Sequence, residues 1–149
     1  MRPEFEKVFV DTNILIYSTF EDFEREKHLR STEILHKLQQ EGTIFFISSQ
    51  ILREYFAITT NNSIFKKPLT CKQAASKMRE FISQFIVVNE KKSTINVLIG
   101  MIEKYAVSRG KVHDMNIVAA MIDNDIVSLL TYNLKTSIKS VKFDYCLYE

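Results

Sequence analysis

Three apolar residues, Val8, Phe9 and Val10, run directly into three polar ones, Asp11, Thr12 and Asn13, and Ile14-Leu15-Ile16-Tyr17 then resumes the apolar run. This pattern predicts a buried strand over 7–10, a polar turn and a short helix over 13–19. A charged, turn-like stretch follows. From Glu24 to Gln40, Leu29, Ile34, Leu35 and Leu38 recur at helical spacing, so an amphipathic helix is predicted, with Gly42 as its stop. Residues 44–48 read as a second buried strand. Ser49 is a candidate cap for a third helix whose register takes in Ile51, Leu52, Tyr55, Phe56 and Ile58, and Asn61-Asn62-Ser63 ends it. Thr70 caps a fourth helix to about Gln84, with Ala74, Ala75, Met78, Phe81 and Ile82 turned inward. A short strand is expected over 85–88. Ser93 would cap a fifth helix with Ile95, Leu98, Ile99 and Ile102 on one face. Arg109-Gly110-Lys111 reads as a loop, 114–123 as a sixth helix, 127–131 as a fourth strand and 141–145 as a possible fifth.

Strands separated by helical stretches imply βαβ crossovers. The expected class is therefore α/β, a central parallel β-sheet of four or five strands flanked by helices on both faces. Every strand would then leave its carboxyl end on one edge, where open α/β sheets place their chemistry. At 149 residues and 46% apolar, one domain over 1–149 is expected, and only three Gly and two Pro argue against a flexible linker. The N-terminus is charged and lacks the apolar core of a signal peptide, and no apolar run is long enough to span a bilayer. These features point to the cytoplasm.

A net charge of +2 is too small to hold nucleic acid by a general field. Any such contact would be a local patch such as Arg109-Gly110-Lys111-Val112-His113, which reads equally well as a solvated loop. Cys71 and Cys146 belong to no metal-binding or redox motif, and His28, His36 and His113 lack zinc-ligand spacing. The cysteines are expected to be reduced and structural.

Asp11 follows the first strand, Glu54 sits on the helix after the second, Asp114 opens the helix before the fourth, and Thr131 and Asn133 follow that strand. A parallel sheet can bring all five to one edge. Carboxylates held close repel one another unless a cation neutralises them, and an all-oxygen set suits Mg²⁺ or Mn²⁺. Each residue also has an ordinary role: Asp11 and Asp114 as helix-start acids, Glu54 as a solvated position, Thr131 and Asn133 as turn formers.

Four segments together resemble the PIN-domain family: Val8-Phe9-Val10-Asp11-Thr12-Asn13-Ile14-Leu15, Ser48-Ser49-Gln50-Ile51-Leu52-Arg53-Glu54, His113-Asp114-Met115-Asn116-Ile117-Val118-Ala119-Ala120 and Leu129-Leu130-Thr131-Tyr132-Asn133. Their order and spacing cover essentially the chain. Compact members of this length look like VapC-like ribonucleases, the toxins of type II toxin–antitoxin pairs. The resemblance implies a PIN-like fold and hydrolysis of RNA phosphodiesters by metal-activated water. It makes Asp11, Glu54 and Asp114 the catalytic acids, with Asp11 and Asp114 holding Mg²⁺ or Mn²⁺. Thr12, Asn13, Thr131 and Asn133 would support them, and Arg109, Lys111 and Lys135 would hold the RNA backbone. The partners implied are RNA, a cognate antitoxin protein and a second copy of the chain, with no membrane.

The family often carries a fourth acid two or five residues after the last Thr, where this chain has Asn133 and Thr136. That puts a second metal in doubt. Asp125 and Asp144 are the nearest later acids, and no spacing argument favours either. Two other readings stand beside the nuclease. One is a catalytically degenerate RNA- or protein-binding module on the same fold. The other is a small phosphotransfer domain, which would leave Glu54 and Asp114 unexplained.

Overall fold

The computed structural model describes residues 6–106, 108–132 and 138–142. The first strand, β1 (Lys7–Val10), leads through Asp11 into α1 (Thr12–Thr19). Then follow α2 (Arg25–Gln40), β2 (Ile44–Ser48), α3 (Ser49–Thr59), α4 (Cys71–Gln84), β3 (Ile86–Val88), α5 (Lys92–Tyr105), α6 (Val112–Asp123), β4 (Ser128–Tyr132) and β5 (Ile138–Lys142). The five strands form one sheet in the order β3-β2-β1-β4-β5. β1, β2, β3 and β4 are mutually parallel, and β5 runs antiparallel to β4 with Tyr132 opposite Ile138. The expected parallel α/β sheet is present in its first four strands. The possible fifth strand is present but reversed, so its carboxyl end does not join the others. It also starts earlier than 141, and residues 143–145 of the expected span lie outside the described residues.

Val8, Phe9 and Val10 of the central strand are all buried, as a strand covered on both faces requires. The main core joins β1, β2 and β4 to Ile14, Leu15, Ile51, Tyr55 and Phe81 from the helices that follow β1 and β2. From α6, Ile117, Ala120 and Met121 enter this core, whereas Met115, Val118 and Ala119 pack with α5 in a second cluster. Two faces of α6 are thus buried, one on the main core and one on the neighbouring helix, which is why its sequence is apolar nearly all round.

Helix ends differ from the sequence expectation where caps compete. Ser48 rather than Ser49 caps α3, with its hydroxyl accepting from Ile51 N at 3.4 Å. α5 begins at Lys92 because Thr94 Oγ1 accepts from Lys91 N, so Ser93 lies inside the first turn. Arg109–Lys111 is a 3-10 turn rather than an open loop, and α6 starts at Val112. Thr70 caps α4 as expected, in a reciprocal pairing with Gln73. Of the apolar face assigned to α5, Leu98 packs inward but the three isoleucines do not. Ile95, Ile99 and Ile102 are exposed, whereas Thr94 and Met101 are buried and Val97 and Leu98 are partly so. Ile82 and Leu29 are likewise exposed. Cys71 is a free thiol, as expected, but is exposed at the start of α4, and Cys146 lies outside the described residues. Among the described residues no helix is long and apolar enough to cross a membrane.

Candidate metal centre

The chain builds β2 and β3 to one side of β1 and then crosses to place β4 on the other. That reversal of direction makes the carboxyl ends of β1 and β4 a topological switch point, the usual ligand position in such sheets. Asp11 stands there. Its N–H donates to Leu130 O at 2.9 Å, extending the β1–β4 pairing by one residue.

The Asp11 side chain has two functions at once. Oδ1 accepts from Thr12 N at 2.7 Å and so caps α1, while Oδ2 accepts from the Thr131 hydroxyl at 2.8 Å. Burial pushes its carboxyl above the ordinary range. The Thr131 and Thr12 hydrogen bonds oppose that shift, and the negative charges of Asp114 and Glu54 add to it. These two acids are therefore close enough to act on Asp11 although they come from different helices. Glu54 lies in the second turn of α3, and Asp114 in the first turn of α6.

Thr12 connects the acids. Its buried hydroxyl donates to Glu54 Oε2 at 2.8 Å while its backbone N–H serves Asp11. Asn13 braces the turn: its Nδ2 donates to Tyr132 O at 3.0 Å and to Thr131 Oγ1 at 3.3 Å, and its Oδ1 accepts from Tyr132 N at 3.0 Å. The structure thus brings together Asp11, Thr12, Asn13, Glu54, Asp114 and Thr131. Arg109 and Lys111 are exposed in the turn leading to α6. Asn133, Lys135, Thr136 and Asp144 lie outside the described residues. Asp125 is excluded from the site: it sits in the turn before β4, at the opposite edge of the sheet, with a φ of 55°.

Three residues of this edge were not singled out in the sequence. Gln50 Nε2 donates to Glu54 Oε1 at 2.8 Å and to His113 O at 3.0 Å. Gln50 Oε1 accepts from Asn116 Nδ2 at 2.6 Å, and the same Asn116 amide reaches Glu90 Oε1. The Gln50–Glu54 spacing of one helical turn was a readable signal. The Asn116 and Glu90 contacts join distant segments and had none.

The donor set fits a hard divalent cation in one respect. Among the described residues none of Asp11, Glu54 and Asp114 is paired with a Lys or Arg. Each oxygen of Asp11 and Glu54 accepts one hydrogen bond, which leaves lone pairs toward an all-oxygen site. Among the described residues, no three Asp, Glu, His or Cys side chains form a ready cage.

No family model matches the chain, and no curated protein matches it in sequence. Solved structures do match. The VapC20 toxin of Mycobacterium tuberculosis, described as cleaving the sarcin–ricin loop, superposes with a TM-score of 0.66 at 11% identity, over 91% of this chain and 99% of that one. VapBC2 of Rickettsia felis, bound to a fragment of its promoter DNA, gives 0.59 at 21% identity over 87% and 89%. A toxin–antitoxin complex from Klebsiella pneumoniae gives 0.56 at 19% identity over 87% and 88%. The chain has the PIN-like α/β fold. It shares that fold with these toxin structures.

Proposed function

We propose that this chain is a divalent-metal-dependent endoribonuclease that hydrolyses RNA phosphodiester bonds, and that it is the toxin of a toxin–antitoxin pair. The observation that carries the reading is the partly buried carboxyl of Asp11 at the carboxyl end of β1, held by Thr12 and Thr131 under the charges of Glu54 and Asp114. Such a cluster is costly to the fold and calls for a cation. The VapC-like fold supports the nuclease reading, and two of the three neighbours are toxin–antitoxin assemblies, which supports a protein antitoxin as partner. A homodimer is part of the same proposal.

Asp11 and Asp114 would hold Mg²⁺ or Mn²⁺, and Glu54 would orient water beside it. A cation held there would lower the pKa of its water and offset charge on the scissile phosphate. The residues of the chain do the rest. Thr131 and Thr12 fix the Asp11 carboxylate in one orientation, Thr12 ties Glu54 to it, and Asn13 keeps the turn from opening. Arg109 and Lys111, with Lys135, would meet the RNA backbone by charge.

The test uses labelled total RNA with Mn²⁺, with EDTA and with Asp11→Asn. Discrete fragments that need Mn²⁺ and vanish in the variant are expected. RNA bound without cleavage under any condition would instead establish the binding-module reading.

A further inference from the structure

Glu54 and Asp114 stand on separate helices, so something must set the distance between them. A chain of side chains spans that gap. Gln50, one turn before Glu54 on α3, donates to both Glu54 Oε1 and the carbonyl of His113, the residue immediately before Asp114. Its own carbonyl accepts from Asn116, two residues after Asp114, and Asn116 in turn donates to Glu90, in the segment between β3 and α5. Gln50 is buried, 6% exposed, and Glu90 is exposed.

The chemistry permits this chain only one direction. Gln50 faces two acceptors, a carboxylate and a carbonyl, so its NH₂ must point at them. Its oxygen is then left toward Asn116, which must present its own NH₂. The second proton of that NH₂ meets the Glu90 carboxylate. Turning either amide over would set oxygen against oxygen in a partly buried place. Gln50 lies in the first turn of α3, just past the carboxyl end of β2, and every orientation in the chain ends on Glu54.

We infer that Gln50, Asn116 and Glu90 form a positioning relay that fixes the Glu54 carboxylate and its spacing from Asp114 for the metal centre. The inference rests on the nuclease reading above. Gln50 and Asn116 act through the two acids and are not themselves catalytic. Glu90 anchors the far end, so a carboxylate outside the metal centre helps to set the geometry within it.

The test compares Asn116→Leu, which keeps the volume and removes the donor, with Glu90→Ala, an exposed change that leaves the core intact. Three quantities are read: the side-chain amide NMR signals of Gln50 in metal-free protein, the Mn²⁺ concentration giving half of the metal-induced rise in melting temperature, and kcat and KM for RNA cleavage. Both variants should move the Gln50 amide signals. Asn116→Leu should raise the half-saturating Mn²⁺ concentration by about tenfold, in the range found when outer-shell partners of metal ligands are removed. Glu90→Ala should shift it in the same direction by less. kcat should fall while KM for RNA stays the same. Gln50 signals that stay in place, or Mn²⁺ uptake at the wild-type concentration in both variants, would overturn the relay. If Asn116→Leu does not fold, Glu90→Ala decides by the same readouts. A wild-type protein that neither responds to Mn²⁺ nor cleaves RNA would overturn the nuclease reading and this role with it. That outcome is distinct because it appears before any substitution is made.

Discussion

The side chain of Asn13 pairs with the backbone of Tyr132 as a neighbouring peptide unit would, donating to its carbonyl and accepting from its N–H, both at 3.0 Å. The pairing closes the carboxyl end of β4 against the start of α1. Asn13→Ala removes both bonds and leaves partly buried backbone groups unsatisfied. A loss of about 2 kcal/mol is expected, read as a lower midpoint in urea with an unchanged slope. Asn13→Leu should cost at least as much, since shape without polarity restores neither bond. An unchanged midpoint in both would mean that water replaces the amide without loss.

Asp11 works against the stability of the metal-free protein. Its folded-state carboxyl lies above the ordinary value of 3.8, mainly through burial. The folded state therefore holds that proton more tightly than the unfolded chain does, and stability falls as pH rises through the raised value. The burden is absent below the ordinary value and fully present at neutral pH. Asp11→Asn keeps a helix-capping oxygen and removes the charge. In EDTA the variant should melt above wild type at neutral pH, and the gap should narrow as pH falls into the carboxylate range. A wild type that outlasts the variant at neutral pH in EDTA would contradict this.

Metal should reverse that order. A ligand that binds only the folded state stabilises it by about 2.7 kcal/mol at one hundred times its dissociation constant. Mn²⁺ should therefore raise the melting temperature of wild type and leave Asp11→Asn and Asp114→Asn nearly unmoved. Differential scanning calorimetry across a Mn²⁺ series checks it. An equal rise in all three proteins would place the ion elsewhere.

Ser31, on α2, is fully buried, and its hydroxyl has no hydrogen-bond partner among the described residues. Burying an unsatisfied hydroxyl costs about 1 kcal/mol or more, so Ser31→Ala should be neutral or stabilising by about that amount. Equilibrium unfolding in urea measures it. A clear loss of stability would show that the oxygen is filled by water.

Asp123 fastens α6 to α5. Its Oδ2 accepts from Thr94 Oγ1 at 2.7 Å and from Ser93 Oγ at 2.9 Å. The Thr94 hydroxyl first, then that of Ser93, hold its carboxyl below the ordinary range. The sign is opposite to that of Asp11. The contribution is present above the ordinary value and is lost as pH falls through the lowered one. Asp123→Asn should lower the melting temperature at neutral pH, and the difference from wild type should shrink in acid. A constant difference at every pH would assign the effect to packing.

Strand positions were legible because Val8-Phe9-Val10, Ile44–Ile47 and Leu129-Leu130 are short apolar runs with no helical period. The edge that carries the acids followed from their order alone. The reversed β5 was not legible, since an apolar alternation does not state its direction. α5 was misread because Ile95, Ile99 and Ile102 mark an apolar stripe, whereas Thr94 is buried for its hydrogen bonds to Lys91 and Asp123. The Gln50–Glu54 spacing was readable, but the contacts of Asn116 with Gln50 and Glu90 were invisible for a related reason. Amides look alike along a chain, and only the fold decides which of them meet.

The crossover topology leaves the two edges of the sheet with unequal freedom. The turns from α2 to β2, where Gly42 takes a φ of 83°, and from α6 to β4, where Asp125 takes 55°, both lie at the amino edge, away from Asp11. An affinity tag or a fluorescent reporter spliced next to Gly42 would sit a full strand length from the chemistry. The molecule thus offers a handle on one side for experiments conducted on the other.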